Sequence, residues 1–353
     1  MRITQKGEYD MPRSLFRFAS STLCCLVIAA GILAIPGAAA AENIKLRLNF
    51  SPWAMHAQYF AALKQGYYEE EGLQVEILSR SSGQQTEVLV GSGQDDFGVT
   101  NADAFIKARA KGIPLMAIAL DQPDTAYALI SRKDLNVTGP ADLKGKKVAF
   151  IQGDEPGLIE PVLASGQITL DDIEILSVRF GAEQQLVASG EARAAFGYFY
   201  GQPVTLAAQG IETTTMLIKD YGVNLYGTLL IASEDTVKSR PEVVNKFLRA
   251  TFKGYLWAGQ NMEQAMRYVI DAAPDRNYDV ELKKLHLIYD FYRTPAYKDG
   301  FGMMSEAGWQ ASIDTLAKAS GLSPAPQASE LFTNAFIENS PEAKKLSDWL
   351  LAE

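Results

Sequence analysis

Short apolar runs alternate with stretches of helical spacing along this chain, and the alternation runs through twice. In the first pass residues 44–49 read as a strand with Leu46 and Leu48 on one face. Residues 56–65 read as a helix with Tyr59, Phe60 and Leu63 at helical spacing, and Gly66 suits the left-handed residue that closes it. Residues 75–78, 97–99 and 115–119 read as further strands, with helices at 84–90 and 103–110. This order predicts a mostly parallel sheet with helices on both faces. The pattern then restarts. Residues 126–131 are extended, strands follow at 147–151, 173–178 and 194–198, and helices at 157–165 and 183–189. Residues 224–232 form a second extended segment, and from Pro241 the chain is mostly helical, with long periodic stretches at 243–258 and 262–272. Two α/β lobes joined by two extended crossings, with a helical C-terminal tail, predict a binding fold hinged between lobes. A single doubly wound enzyme domain is the alternative, and the second set of strand–helix units favours two lobes.

Residues 1–41 read as a signal peptide. Arg13 and Arg17 supply a positive start, residues 23–33 form an apolar run too short to span a bilayer, Pro36 breaks it, and Ala39-Ala40-Ala41 reads as a cleavage site before Glu42. Met11 fits as the start codon, because residues 1–10 resemble no part of a signal. Both cysteines, Cys24 and Cys25, fall inside this segment, and Leu23 stands where a lipid-anchor site would want a small residue. The exported chain therefore has no disulfide, no thiol nucleophile and no cysteine metal site. Cleavage removes four of the 33 basic residues and two of the 42 acidic ones, which leaves a balance of −11. No basic stripe points to nucleic acid, and no later stretch is apolar enough to span a membrane. The remaining histidines, His56 and His286, are too few for a metal hydrolase or a catalytic triad. We expect a periplasmic monomer with no catalytic residue, metal or cofactor.

Several blocks carry a family resemblance. Leu48-Asn49-Phe50-Ser51-Pro52-Trp53 is followed by His56-Ala57, Tyr59, Gly66-Tyr67-Tyr68 and Glu71-Gly72-Leu73-Gln74-Val75. The run from Val90 through Gly91-Ser92-Gly93-Gln94-Asp95-Asp96-Phe97-Gly98 to Val99, then Asn101-Ala102-Asp103-Ala104, Ala108-Arg109-Ala110-Lys111-Gly112-Ile113-Pro114 and Asp142-Leu143-Lys144-Gly145-Lys146-Lys147-Val148, continue in order. Together they resemble the NMT1/THI5-like family, the substrate-binding proteins of the thiamine-pyrimidine group. The resemblance implies a type II periplasmic-binding fold, with residues 42–130 and 230–353 in one lobe and 131–229 in the other. It also implies a small-molecule ligand and a membrane permease of an ABC importer as partner. Members of the wider group take pyrimidines, riboflavin, sulfonates or nitrate. Fungal members synthesise the thiamine pyrimidine with an iron site and a cysteine-rich motif, and an exported chain without cysteine departs from that pattern.

In open α/β lobes ligands bind beyond the carboxyl ends of strands, beside helix N-termini. After the first strand, Trp53 is placed to stack on a flat ring and His56 to hydrogen-bond its edge, with Tyr59 close behind; a surface-covering Trp and a helix-start His are the plainer readings. Ser82 after the second strand is either a ligand donor or an N-cap. Asn101 and Asp103 after the third offer an amide and a carboxylate, or caps. Asp154 and Glu155 follow the first strand of the second lobe, where the helix dipole alone favours acids, and Glu160 lies about one turn on. Tyr198 and Tyr200 end a later strand, where family members often add an acid; Gln202 stands in its place. Tyr127 and Tyr226 sit in the crossings, as cleft walls or as hinge packing. This aromatic excess favours a planar heterocycle, a hydroxymethyl- or formylamino-pyrimidine precursor of thiamine. Riboflavin would use the same rings in a longer cleft, whereas sulfonate or nitrate would need donors more than stacking surfaces.

Overall fold

The computed structural model describes residues 41–81 and 84–352. Both cysteines, the expected signal segment up to residue 40, and Ser82 lie outside the described residues.

The first pass of the rhythm forms β1 (Glu42–Arg47), β2 (Leu73–Leu78), β3 (Phe97–Asn101) and β4 (Leu115–Leu120). The second forms β5 (Tyr127–Arg132), β6 (Lys147–Ile151), β7 (Glu174–Val178), β8 (Ala194–Tyr198) and β9 (Thr213–Leu217), and the return is β10 (Thr228–Ser233). They make two five-stranded sheets, in the orders β2-β1-β3-β10-β4 and β7-β6-β8-β5-β9. In each sheet a single strand opposes the rest: β10 lies antiparallel between β3 and β4, and β5 antiparallel between β8 and β9. Topology dictates this. The other strands of each sheet point their carboxyl ends at the space between the sheets, so the chain leaves β4 there and must enter the second sheet running away from it. The return through β10 repeats the constraint in reverse. The crossings occupy residues 121–126 and 218–227, so the expected boundaries after 130 and 229 fall within β5 and β10.

The apolar residues that alternate along β1, β3 and β10 bury against C-terminal helices. Phe247 on the helix Pro241–Gln260 stacks on Phe97, with ring centroids 4.0 Å apart, and on Tyr68 at 5.6 Å. Gly254 lets that helix press on the helix Ala57–Lys64, since a Cβ there would lie 2.4 Å from the Gln58 carbonyl oxygen. A second core runs without interruption from Leu120 and Leu229 to Tyr127, Phe150 and Phe196 of the other lobe, sealed by Trp309 and Leu316 from the helix Glu306–Ser320. That helix seats on the turn Pro156–Ile159, where a Cβ on Gly157 would lie 1.7 Å from the Ala319 carbonyl oxygen. The C-terminal tail thus touches both lobes, whereas the sequence reading placed it with the first alone.

Candidate functional site

Strand ends of both sheets converge on a cleft of about 800 Å³, within the usual range for small-molecule sites. Phe50 and Trp53 follow β1, Thr100, Asn101 and Asp103 come from the end of β3, and Tyr127, Asp154 and Tyr198 face them from β5, the loop after β6, and β8. The Tyr198 ring centroid lies 6.1 Å from Trp53 and 5.3 Å from Tyr127, with Tyr200 parallel behind it at 5.5 Å. Phe50 and Phe180, one from each lobe, meet at 4.0 Å. The Asn101 amide donates to the Tyr127 and Tyr198 hydroxyls, both at 2.8 Å, and the Tyr127 hydroxyl donates to Asp103 at 3.3 Å. The two lobes are therefore in contact in this conformation.

Charge is arranged differently on the two sides of the cleft. Beside Trp53, the Ala54 N–H donates to Glu281 at 2.9 Å, and Glu281 also receives Lys284 at 2.7 Å and Arg276 at 3.5 Å. Arg276 donates to the Ser51 hydroxyl, and the Lys284 ammonium sits 5.8 Å from the centre of the Trp53 ring. Burial holds Lys284 below the usual lysine range. The network pins Trp53, and removing one member would strand a buried charge at a cost of several kcal/mol. On the opposite side acids dominate. Asp154 accepts the Ile151 N–H at 2.9 Å. Burial above all, with the charges of Asp103 and Glu183, pushes its pKa up to about 7. Glu183 is fully buried behind Gln202, and burial raises its pKa too.

Six of the expected residues line this cleft: Trp53, Asn101, Asp103, Tyr127, Asp154 and Tyr198. His56 lies one layer deeper. Its Nε2 is 2.9 Å from the Asn49 side-chain oxygen, and burial, then Arg276, push its pKa down to about 3, so the ring is neutral and orients Asn49, which does line the cleft. Tyr59 and Tyr200 are fully buried; Tyr59 bonds the Tyr255 hydroxyl, and Tyr200 accepts from Gln122. Tyr226 packs edge-on against Trp309 and bonds Ser305, away from the cleft. Glu155 stands 3.8 Å from Lys107, and Glu160 is exposed at the start of the helix Glu160–Ser165. The sequence reading missed Phe180 and the Arg276–Glu281–Lys284 group. Phe180 follows a strand end and was open to the same rule that found Asp154; the charged group sits at the start of the helix Tyr278–Tyr292, where spacing signals only a helix. Among the described residues no three His, Cys, Asp or Glu side chains gather to hold a metal ion.

The profile of the family described as NMT1/THI5 like matches residues 53–265. The chain belongs to that family. Among its NMT1/THI5-like relatives, the formylaminopyrimidine-binding protein of Halalkalibacterium halodurans is 28% identical over 287 residues, covering 78% of this chain and 85% of that one. A 4-amino-5-hydroxymethyl-2-methylpyrimidine phosphate synthase of Saccharomyces cerevisiae is 26% identical over 326 residues, covering 88% and 92%. Among solved structures, a putative periplasmic sulfonate-binding protein of Methylobacillus flagellatus superposes with a TM-score of 0.67 at 17% identity, covering 88% of this chain and 97% of that one. That likeness establishes the fold as the type II periplasmic-binding architecture expected from the sequence.

Proposed function

We propose that this member of the family is the solute-binding component of an ABC importer, and that it captures a planar nitrogen heterocycle of the thiamine-pyrimidine-precursor type. The observation that carries the reading is the pair Trp53 and Tyr198, one ring from each lobe, on facing sides of one cleft. With the lobes parted slightly beyond this contact, a flat ring between them gains apolar burial and stacking from both lobes at once. It thereby shifts the open–closed balance by its preference for the closed form. Two further features support a heterocycle over a sulfonate: of the lining cations Arg276 and Lys284 are committed to Glu281 and Arg80 is exposed to solvent, and the opposite side is acidic. The relative named as a formylaminopyrimidine-binding protein agrees with it. A signal peptide read at 1–41 supports export and a permease partner in the membrane. The relative named as a synthase raises an enzyme as the competing class, and no cysteine follows Cys25 to supply the fungal motif.

A thermal-shift panel tests the reading. A hydroxymethyl- or formylamino-pyrimidine at about 1,000 times its Kd should add about 4 kcal/mol of stability, while alkanesulfonates and nitrate should add far less. Mass spectrometry of the recovered ligand should find it unchanged. Stabilisation by sulfonates alone would overturn the heterocycle assignment, and a covalently altered product would favour the enzyme.

A further inference from the structure

Beside Trp53 the cleft pairs its charges, because Glu281 takes up Arg276, Lys284 and the Ala54 N–H; Arg80, also on the lining, is exposed to solvent. The other side is left with acceptors that have nothing to accept. One oxygen of Asp154 holds the Ile151 N–H; the other has no partner among the described residues, and Asp154 lines the cleft. The Asn101 side-chain oxygen is buried without a partner, since its amide nitrogen is spent on Tyr127 and Tyr198. One Glu183 oxygen is buried and unpartnered too, directly behind Gln202. Buried acceptors left unsatisfied cost free energy that a ligand donor recovers.

We propose that Asp154, with the Asn101 oxygen of the same cleft, is the specificity-determining group: it accepts hydrogen bonds from an N–H edge of the ligand, an exocyclic amine or an amidine-like N–C–N unit, and it turns anionic solutes away. The proposal rests on the cleft being the solute site. It locates the ligand's acid partner in the loop after β6, whereas Gln202, where the family pattern suggests an acid, is an amide whose carbonyl oxygen accepts the Tyr198 N–H. The groups facing Asp154 are Asp103 and Lys107 from the helix Ala102–Ala110, Glu183 from the helix Ala182–Ser189, and the hydroxyls of Tyr127 and Tyr198; Glu155, next in sequence, is occupied by Lys107. In this surrounding Asp154 holds its proton to near neutrality. A donor edge favours the ionised carboxylate, so binding expels that proton, and the contribution of Asp154 to affinity grows as pH rises through 7.

Calorimetry on the full exported chain tests this with three probes: 4-amino-5-hydroxymethyl-2-methylpyrimidine, its analogue with oxygen in place of the exocyclic amine, and an alkanesulfonate. The Asp154→Asn variant keeps an oxygen for the Ile151 N–H and cannot ionise, so its melting temperature without ligand should not fall below that of the wild type and should exceed it at neutral pH and above. It should bind the amine about 10- to 100-fold more weakly and lose most of the preference for amine over oxo analogue. The ratio of wild-type to variant affinity should rise between pH 6 and pH 8, a comparison in which the titration of the ligand itself cancels. Independently of any variant, wild-type titrations at pH 7 in buffers of different ionisation enthalpy should show about half a proton released on binding, because Asp154 is about half protonated there. Equal affinity of the two proteins for the amine, or no released proton, overturns the role of Asp154 while leaving the cleft intact. A wild type that binds the sulfonate and neither pyrimidine overturns the proposal together with the reading beneath it.

Discussion

Replacing Asp121 by asparagine isolates a pH dependence built into the hinge. Asp121 stands where the chain leaves β4 for the first crossing and is only 2% exposed. Its carboxylate accepts from the Tyr255 hydroxyl at 2.8 Å and from the Thr228 hydroxyl at 2.9 Å, and no cation pairs with it among the described residues. Burial raises its pKa to about 6 from 3.8, against the pull of these hydroxyl bonds. In that interval the folded protein keeps a proton that the unfolded chain has lost, so stability falls as pH rises from about 4 to about 6 and is flat beyond. A shift of this size corresponds to about 3 kcal/mol. Asparagine cannot ionise and removes the slope, whatever constant cost its altered hydrogen bonding adds. Urea unfolding at pH 4, 5, 6 and 7 at fixed salt should therefore show different slopes: the wild type should lose about 2.5 kcal/mol relative to Asp121→Asn across the series, since the unfolded carboxyl is already partly ionised at pH 4. Asp154 and Glu183 titrate alike in both proteins and cancel. Parallel pH profiles would refute the assignment and mean that the hinge carboxylate is solvated or paired.

Two other outcomes follow from the architecture. Gly157→Ala drives a methyl group into the Ala319 carbonyl, at 1.7 Å before relaxation; it should cost about 2 kcal/mol and lower Tm by roughly 3 °C, and an unchanged melting curve would contradict the seating of the C-terminal helix on the second lobe. Mature protein recovered from the periplasm should begin at or near Glu42 on N-terminal sequencing, and a soluble cytoplasmic pool with an intact N-terminus would contradict export.

Buried strands were the legible part of this fold. β6 and β8 lie where their apolar runs placed them, because both are covered on both faces and, after Lys147, their side chains are predominantly apolar. β9 escaped notice for the opposite reason: Thr213, Thr214 and Thr215 form a half-exposed edge with no core face to write an alternation. The residues of β5 read as a crossing, since nothing local distinguishes an extended linker from a strand that pairs with distant partners. In the cleft, the strand-end rule singles out Trp53, Asn101, Asp103 and Asp154 because topology alone aims those positions between the lobes. It could not tell depth. His56 follows Trp53 by three residues, yet the 3-10 turn Ala54–His56 rotates it behind the wall. Nor could it reach Glu281, which meets the Ala54 N–H across 227 residues of sequence.

The central claim, that a flat heterocycle is held between Trp53 and the second lobe, is tested most directly by calorimetric titration of 4-amino-5-hydroxymethyl-2-methylpyrimidine into the wild type and Trp53→Ala side by side. The account predicts one site per chain in the wild type and a loss of about 1–3 kcal/mol of binding free energy in the variant, from lost apolar area and stacking. Equal affinity in the two proteins, or no heat with the pyrimidine beside saturable binding of an alkanesulfonate, would contradict it.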